Sequence, residues 1–246
     1  MIELYKKEIA TFFCSPIGYL VVGVFLVLVW LLLWVVPSEL NILYGGYATL
    51  SSLFDVAPWI YLFLVPAIAM RLIADERKTG TIELLLIRPI GVWRIVLAKY
   101  LAGLTLVLVS IAPTIVYAIV VDGLSVSETG IDVGGTIGSY IALVFLAATY
   151  MSVGLFASSL TDNQIVAFVV AAALCALLYI GFDMFTALSP QSDWAAALTE
   201  IGIASHYSSL SRGVIDSRDV VYFVSVALLM LAATARFVYS KQRSLA

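Results

Sequence analysis

A short stretch between two apolar segments contains the densest group of ionisable side chains in this chain. Asp75, Glu76, Arg77 and Lys78 follow one another directly, and Glu83 follows shortly after them. Glu76 and Glu83 can cap helix ends and pair with Arg77 or Lys78, or they can contact another protein directly, and the residue types favour the two alternatives equally. In both cases the chemistry is pairing and docking rather than bond making.

The motifs of common catalytic sites do not occur in the sequence. The chain contains no H-E-x-x-H, no G-x-S-x-G, no paired carboxylates within an apolar segment and no P-loop of the form G-x-x-x-x-G-K-[ST]. We therefore assign no catalytic residue, and we do not expect the chain to be an enzyme. ATP is not expected to bind to this chain through such a loop.

Few side chains are suited to hold a metal ion. Cys14 and Cys175 lie in different apolar segments, which favours packing roles over a disulfide or a metal site. His206 is the single histidine, and no His, Cys or acidic partner stands at metal spacing from it. We expect a surface or packing histidine and no metal site.

Composition identifies the environment of the chain. Of its 246 residues 63% are hydrophobic and 12% are charged, and the mean hydropathy is +1.08. These values lie outside the range of water-soluble domains and indicate an integral membrane protein. The apolar run from Ile17 to Val36 is too long for the core of a signal peptide, and no small-residue cleavage site follows it. We expect it to remain as a helix.

The hydropathy pattern predicts an all-α membrane protein that forms a single transmembrane domain over residues 1–246. Residues 1–16 are predicted to form an amphipathic interfacial helix, with Ile2, Tyr5, Ile9, Phe12 and Phe13 on its apolar face. Six apolar spans follow, at about 17–36, 56–74, 96–121, 137–160, 165–182 and 220–238. Local kinks are expected at Pro66 in the second span and Pro113 in the third.

The distribution of basic residues predicts the orientation. All but two of the 13 lysines and arginines lie in the N-terminal segment, in the connection between the second and third spans, or in the C-terminal segment. Lys99 is counted as the last basic residue of that connection. The loops at 37–55 and 122–136 contain acidic residues and no basic one. The positive-inside rule therefore predicts that both termini and the 75–89 stretch are cytoplasmic.

The stretch at 75–89 also predicts a short helix. Gly80 can begin it and Pro89 can end it, which leaves about two turns. Ile82, Leu85 and Leu86 share one side, and Glu83 can reach back toward the free N–H groups of the first turn. A helix this short is not stable alone, so we expect its apolar residues to bury against lipid or protein. The simpler alternative is a solvated loop that only connects two spans.

The segment at 183–219 predicts two short interfacial helices on the outer side. Ser192 or Asp193 can cap a helix that begins at Trp194 and ends at Gly202. A second helix is predicted from Ala204 to Arg212. Asp216, with Asp219 three residues later, has the pattern of a cap for the last span.

The charge pattern, the spans and the 75–89 stretch together resemble the permease subunit of an ABC-2 type transporter. The segment from Glu76 to Pro89 is similar to that family's pattern E-x-[RK]-x-G-T-[IL]-E-x-L-L-x-x-P, which marks a loop with a coupling helix. The resemblance is greatest to the gliding-motility (GldF-like) branch. The dipeptide Lys7-Glu8 also resembles the N-terminal segment of that branch. The residues that the resemblance implies for coupling are Glu76, Arg77, Lys78, Thr79, Gly80, Thr81, Glu83, Leu84, Leu85, Leu86 and Pro89.

The resemblance implies a function and a set of partners. A separate ABC ATPase subunit would bind ATP and magnesium, and this chain would couple its hydrolysis to export or translocation across a bacterial inner membrane. Further implied partners are a second permease, identical or related, membrane lipids and an extracytoplasmic auxiliary subunit, but not nucleic acid. The alternative is an ABC membrane subunit that transports nothing and transmits conformational change to an envelope or motility partner. An ion-coupled carrier is disfavoured, because the spans have no ionisable residue away from their ends.

Overall fold

The computed structural model describes residues 1–46, 48–87, 91–125, 130–188, 200–213 and 215–245. Within these ranges all regular secondary structure is helical, and no strand occurs. Six of the helical segments are long and apolar enough to cross a membrane: Gly18–Val35, Ser51–Lys78, Val92–Leu124, Val133–Leu160, Gln164–Thr186 and Ser217–Ser240. The prediction of an all-α protein with six spans is confirmed.

The helices are numbered here in chain order. They are α1 Ile2–Cys14, α2 Pro16–Trp30, α3 Ile42–Gly45, α4 Ser51–Lys78, α5 Thr81–Ile87, α6 Val92–Ile111, α7 Ile115–Leu124, α8 Val133–Leu160, α9 Gln164–Ala176, α10 Phe182–Leu188, α11 Ile203–Leu210 and α12 Ser217–Leu245. Single π-helical turns extend α2 over Leu31–Val35 and α9 over Leu177–Gly181.

Helices α4 and α8 form the centre of the bundle, and most of their residues are buried. They approach closely at Gly154 of α8, where an added Cβ would lie 2.5 Å from the Cβ of Ala69 on α4. Gly103 of α6 faces Met151 of α8 in the same way. Small residues at these crossings allow the helix backbones to come together, which is how spans associate where no hydrophobic driving force acts between them.

Proline affects the second and third spans differently. Pro113 lies in a 3₁₀ turn, Ala112–Thr114, which separates α6 from α7 and confirms the expected local interruption of the third span. Helix α4 contains both Pro58 and Pro66, yet it runs as one helix from Ser51 to Lys78. Its position between neighbouring helices supports the backbone where proline removes a donor.

Helix α4 includes the charged stretch that the sequence pattern assigned to a connecting segment. The helix continues to Lys78, and the chain then turns at Thr79 and Gly80, whose φ of 70° lies in the left-handed region that favours glycine. Helix α5 begins directly after this turn, as predicted. Its predicted end at Pro89 lies outside the described residues.

Helix α1 is present as predicted, and Tyr5, Phe12 and Phe13 of its predicted apolar face pack against the bundle, but the face that is buried also includes Glu8. Its buried residues are Leu4, Glu8 and Phe12, at i, i+4 and i+8, whereas Ile2 from the predicted apolar face is exposed. The acidic Glu8 therefore stands in the middle of the stripe that contacts the bundle.

At the opposite end of the bundle, α11 is inserted among the spans rather than lying on their surface. Ile203, Tyr207 and Leu210 are buried, and the Tyr207 hydroxyl donates a hydrogen bond of 2.7 Å to the carbonyl of Phe54. Gly202 precedes this helix as its N-cap residue. The chain leaves it through Gly213, whose φ is 86°. The predicted helix at Trp194, with its cap at Ser192 or Asp193, lies outside the described residues.

Two acidic residues near the start of α12 have separate roles. Asp216 accepts a hydrogen bond of 2.9 Å from the N–H of Arg218, which confirms the predicted cap. Asp219 is buried and bonds to Nδ1 of His206 at 2.6 Å. The Nε2 atom of His206 lies 2.7 Å from the carbonyl oxygen of Glu200, which can only accept, so this nitrogen carries a hydrogen. Folding brings α11 against α12 and so gives His206 an acidic partner that the spacing along the chain did not show.

Candidate functional site

The site lies at the end of the bundle where α1, the last turn of α4, α5, the first turns of α6 and the turn from α8 to α9 come together. We call it the basic end, since Lys7, Arg77, Lys78 and Lys99 lie there. The other end, with Asp55, Asp132, Asp216 and Asp219, is called the acidic end. The predicted coupling residues that the structure describes all lie at the basic end.

A buried lysine stands at the centre of the site. The Nζ atom of Lys99 lies 3.0 Å from a carboxylate oxygen of Glu8 on α1 and 2.9 Å from one of Glu76 on α4. Lys7 lies on the outer side of the same carboxylates, 3.2 Å from Glu76 and 3.7 Å from Glu8. We call this closed arrangement of two cations and two anions the Lys99 ring.

The members of the Lys99 ring differ in exposure. The exposed fractions of the side chains are 1% for Lys99, 9% for Glu8, 13% for Glu76 and 59% for Lys7. Charges this deeply buried are stable only when each has an opposite charge beside it. The ring supplies that balance and joins α1, α4 and α6 through side chains.

The structure corrects two predictions here. Lys99 was counted among the basic residues of a cytoplasmic connection, but it lies within α6 and is buried. Glu76 was expected to pair with Arg77 or Lys78 or to contact another protein; within this chain it pairs with Lys99 and Lys7 instead of Arg77 or Lys78, and the contact with another protein stays a prediction. Arg77 instead contacts Asp162, in the turn between α8 and α9.

The electrostatic effect of the ring is seen at Lys7, which lies outside the spans. Burial by itself would lower the pKa of the Lys7 ammonium group, but the charges of Glu76 and Glu8 outweigh burial and raise that pKa. Lys7 is therefore held in its charged form at neutral pH.

The opposite side of α4 is tied to the turn between α8 and α9. Nε of Arg77 lies 2.7 Å from a carboxylate oxygen of Asp162, and its guanidinium also donates to the carbonyl of Ser159. Asp75 accepts a hydrogen bond of 2.6 Å from the side-chain amide of Gln164. Consecutive residues of the last turn of α4 thus contact opposite sides of the bundle.

A buried serine adds a further connection between α4 and α8. The hydroxyl of Ser158 accepts hydrogen bonds from the N–H groups of Ile73 and Ala74, at 3.2 and 3.0 Å, and donates one to the carbonyl of Met70. These backbone groups belong to a helix, where a side chain from another helix rarely reaches. The contact fixes the height of α4 against α8.

The turn into α5 is built from two threonines. The Thr79 hydroxyl donates to the carbonyl of Asp75 at 2.9 Å, and it lies 2.9 Å from the hydroxyl of Thr81. Thr81 also donates to the carbonyl of Glu76 at 3.3 Å. The carbonyl of Asp75 also accepts from the N–H of Thr79 at 3.0 Å, while the bond from Thr81 satisfies the carbonyl of Glu76 at the end of α4. These bonds hold the start of α5 against the end of α4.

Helix α5 has an inner and an outer side. Ile82 and Leu85 are partly buried against the core of this chain, while Thr81 and Glu83 are exposed. The predicted apolar side of the helix therefore contacts the bundle itself in part. The side chains of Leu84 and Leu86, like Pro89, lie outside what the structure describes, and their predicted role in docking stays a prediction.

Several residues of this site were not identified from sequence. Glu8 interrupts the stripe formed by Leu4 and Phe12, and Lys99 interrupts a run of apolar residues in α6. A charged residue at a position that the helical period assigns to the core is a signal that could have identified both. Asp162 and Gln164 lack such a signal, because they stand in a polar turn.

The comparison with known families decides the classification. A family model described as "ABC-2 family transporter protein" matches residues 39–242, from before α4 to within α12. The chain belongs to this family. The ABC-2 chain is therefore a multi-pass membrane protein and a permease component of an ABC transporter, as the resemblance predicted, and its family implies partnership with an ABC ATPase subunit. No curated protein matches the chain.

Side chains that could hold a metal ion do not cluster in the part of the ABC-2 chain that the structure describes. Among the residues that the structure describes, no three or more His, Cys, Asp or Glu side chains form such a group. Cys175 is buried within α9, and Cys14 is exposed at the end of α1. The chemistry of the described site is ion pairing and hydrogen bonding between helices.

Proposed function

We propose that this ABC-2 chain couples ATP hydrolysis by a separate ATPase subunit to export or translocation across a bacterial inner membrane. The observation that carries the proposal is the arrangement of α5, a short helix with an exposed outer side that is attached to the central helix of the bundle. The basic end faces the cytoplasm in this proposal, in agreement with the positive-inside rule, and both termini lie there.

The site's contacts suggest how motion of α5 would reach the spans. A push on α5 acts on α4 through the short turn at Thr79 and Gly80. Helix α4 carries it to α8 by direct packing and through Arg77, and to α6 and α1 through Glu76. Packed helices shift as rigid bodies between discrete arrangements. The spans would then alternate between inward and outward states.

The energy for this cycle comes from outside the chain in our proposal. The sequence has no P-loop, so ATP and magnesium would bind to the ATPase subunit, and this chain would have no catalytic activity of its own. Two permeases, identical or related, would stand side by side above two ATPase subunits. We propose the gliding-motility (GldF-like) branch on the residues from Glu76 to Pro89 and on Lys7-Glu8.

The acidic end favours a second candidate function. Helix α11 is anchored to α12 by the bond between His206 and Asp219 and to α4 by Tyr207, so this end forms a firm surface. Such a surface suits a chain that transmits conformational change to an envelope or motility partner without moving a substrate. An extracytoplasmic auxiliary subunit could bind here in either version. The two versions differ in substrate flux in proteoliposomes that hydrolyse ATP.

A single exposed residue of α5 provides the test. Glu83→Arg reverses a charge on the outer side of α5 without touching the core, so the variant should insert and fold normally. We expect it to lose the stimulation of ATPase activity that the wild-type permease gives in a reconstituted complex. Combining it with Leu85→Ala, which also loosens α5 from the bundle, should abolish coupling. The measurement is ATP turnover with and without the permease.

Glu39→Arg is the matched control, because it reverses an exposed glutamate at the acidic end. We expect ATP turnover of its complex to equal that of the wild type. Full stimulation by Glu83→Arg combined with Leu85→Ala would refute a coupling role for α5. Equal losses in the Glu83 and Glu39 variants would point to a general effect of charge and would also count against it.

A further inference from the structure

Glu76 has two cationic partners, which is one more than its single charge needs. One of its carboxylate oxygens lies 2.9 Å from the buried Lys99, and the other accepts a hydrogen bond of 3.2 Å from Lys7 at the rim. Both contacts are made at once in this state of the protein. Glu76 is also the residue that stands three positions before the turn into α5.

The two contacts differ in kind. Lys7 donates a hydrogen bond to Glu76, whereas Lys99 donates its hydrogen bond to Glu8 and meets Glu76 only as an ion pair. The oxygen of Glu76 that faces Lys99 has no hydrogen-bond partner and is buried. The contact between Lys99 and Glu76 is therefore a close ion pair without a hydrogen bond, so it fixes the direction of the Glu76 carboxylate less strictly than the bond from Lys7 does.

We propose that Lys7 is a positioning residue that keeps Glu76 paired while α4 and α5 move during the ATP cycle. We call this exchange of partners the handover. In it, Glu76 leaves Lys99, remains bonded to Lys7 and later returns, while Glu8 continues to pair with Lys99. The inference rests on the proposed coupling function and adds to it a defined role for α1. It assigns the amphipathic helix a part in transmission in addition to any contact with lipid.

The cost of burying charge explains why a second cation is needed. If Glu76 moved away from Lys99 without another partner, a carboxylate at a largely buried position would be left uncompensated. Lys7 removes that barrier because its side chain is long and more than half exposed, so it can follow Glu76 over a short displacement. Lys99 keeps Glu8 as its partner throughout, which leaves no bare charge in the core.

The neighbouring residue Lys6 provides a control within the same helix. Lys6 is as exposed as Lys7, but it pairs with Glu3 of the same helix at 3.3 Å. Both lysines attract anionic headgroups to the same extent. A difference between Lys6→Ala and Lys7→Ala therefore reports the contact with Glu76 rather than the attraction of α1 to the membrane.

The experiment measures ATP turnover by the complex of this chain and its ATPase in liposomes. For Lys7→Ala we expect the maximal turnover to fall about twofold to fivefold, the range for loss of one partly exposed ion pair. The KM for ATP and the amount of ATPase bound should not change, because Lys99 still holds the resting state. Lys7→Arg should restore turnover, and Lys6→Ala should match the wild type.

A double-variant comparison separates the handover from a general weakening of α1. Glu76→Gln should lower the maximal turnover at least as much as Lys7→Ala, and adding Lys7→Ala to it should cause no further loss. Equal effects of Lys6→Ala and Lys7→Ala, or additive losses in the double variant, would overturn the handover and leave the coupling function intact. A wild-type complex whose ATPase is not stimulated would overturn the coupling function itself and the handover with it.

Discussion

The two ends of this bundle are held together in different ways. At the basic end, long charged side chains connect helices that are far apart in sequence, as in the Lys99 ring and the pair of Arg77 and Asp162. At the acidic end, the connections described here involve short side chains and the backbone. Ser139 donates to the carbonyl of Ser211 at 2.6 Å, and Gly138 packs against the backbone of Gly213.

This difference indicates which end can move with less cost. Ion pairs between long side chains tolerate small displacements, because the side chains can adjust and exchange partners. Backbone contacts at van der Waals distance have no such tolerance, since a small shift opens a gap or produces a clash. We therefore expect motion to enter at the basic end and the acidic end to respond as a firm unit.

The largest effect is expected from the centre of the Lys99 ring. Lys99→Met leaves the carboxylates of Glu8 and Glu76 buried and facing each other, and should lower the free energy of unfolding by about 3–5 kcal/mol. Thermal unfolding in detergent measures this loss. Lys78→Ala removes an exposed lysine from the same end and should leave the unfolding temperature unchanged.

A further variant tests the explanation. Replacing Glu8, Glu76 and Lys99 together by methionine removes all three buried charges and keeps their volume, so most of the lost stability should return. Unfolding of Lys99→Met at the wild-type temperature would mean that the basic end does not depend on charge balance, and the comparison of the two ends would fail.

A smaller loss is expected at the acidic end from added volume rather than lost charge. An added Cβ at Gly138 would lie 2.6 Å from the Cα atom of Gly213, and backbone cannot rotate away as a side chain can. Gly138→Ala should therefore destabilise the protein by about 1–3 kcal/mol. Thermal unfolding in detergent measures this loss as well. Gly123→Ala, where the added carbon meets open space, should not destabilise the protein. A Gly138→Ala variant as stable as the wild type would show that the backbone at the acidic end can move apart to admit the added carbon.

The smallest effect is expected at the rim of the basic end. The side chain of Asp162 is 63% exposed, while that of Arg77 is 8% exposed. Asp162→Asn should reduce the free energy of unfolding by about 0.2–1 kcal/mol, because water screens the exposed carboxylate and the Arg77 guanidinium keeps its hydrogen bond to the carbonyl of Ser159. The difference from wild type should shrink in high salt. A loss of stability that does not depend on salt would show that water does not screen the Asp162 pair, and Asp162 would then contribute to stability as a buried charge does.

The sequence alone determined the features that depend on near neighbours. Six spans followed from local hydropathy, the interruption at Pro113 from its missing donor, the turn at Gly80 from its backbone freedom and the cap at Asp216 from its distance to the last span. Each is a property of a few consecutive residues, so the sequence pattern contains it.

Only the tertiary structure decided which charges meet. Lys99 finds Glu8 and Glu76, and His206 finds Asp219, because helix packing brings together faces that the sequence separates. The spacing of residues along one helix predicts a face, but it does not predict the opposing helix or its height. For this reason the short helix α5 could be predicted from the sequence, while the ring that connects α4 to α1 and α6 could not.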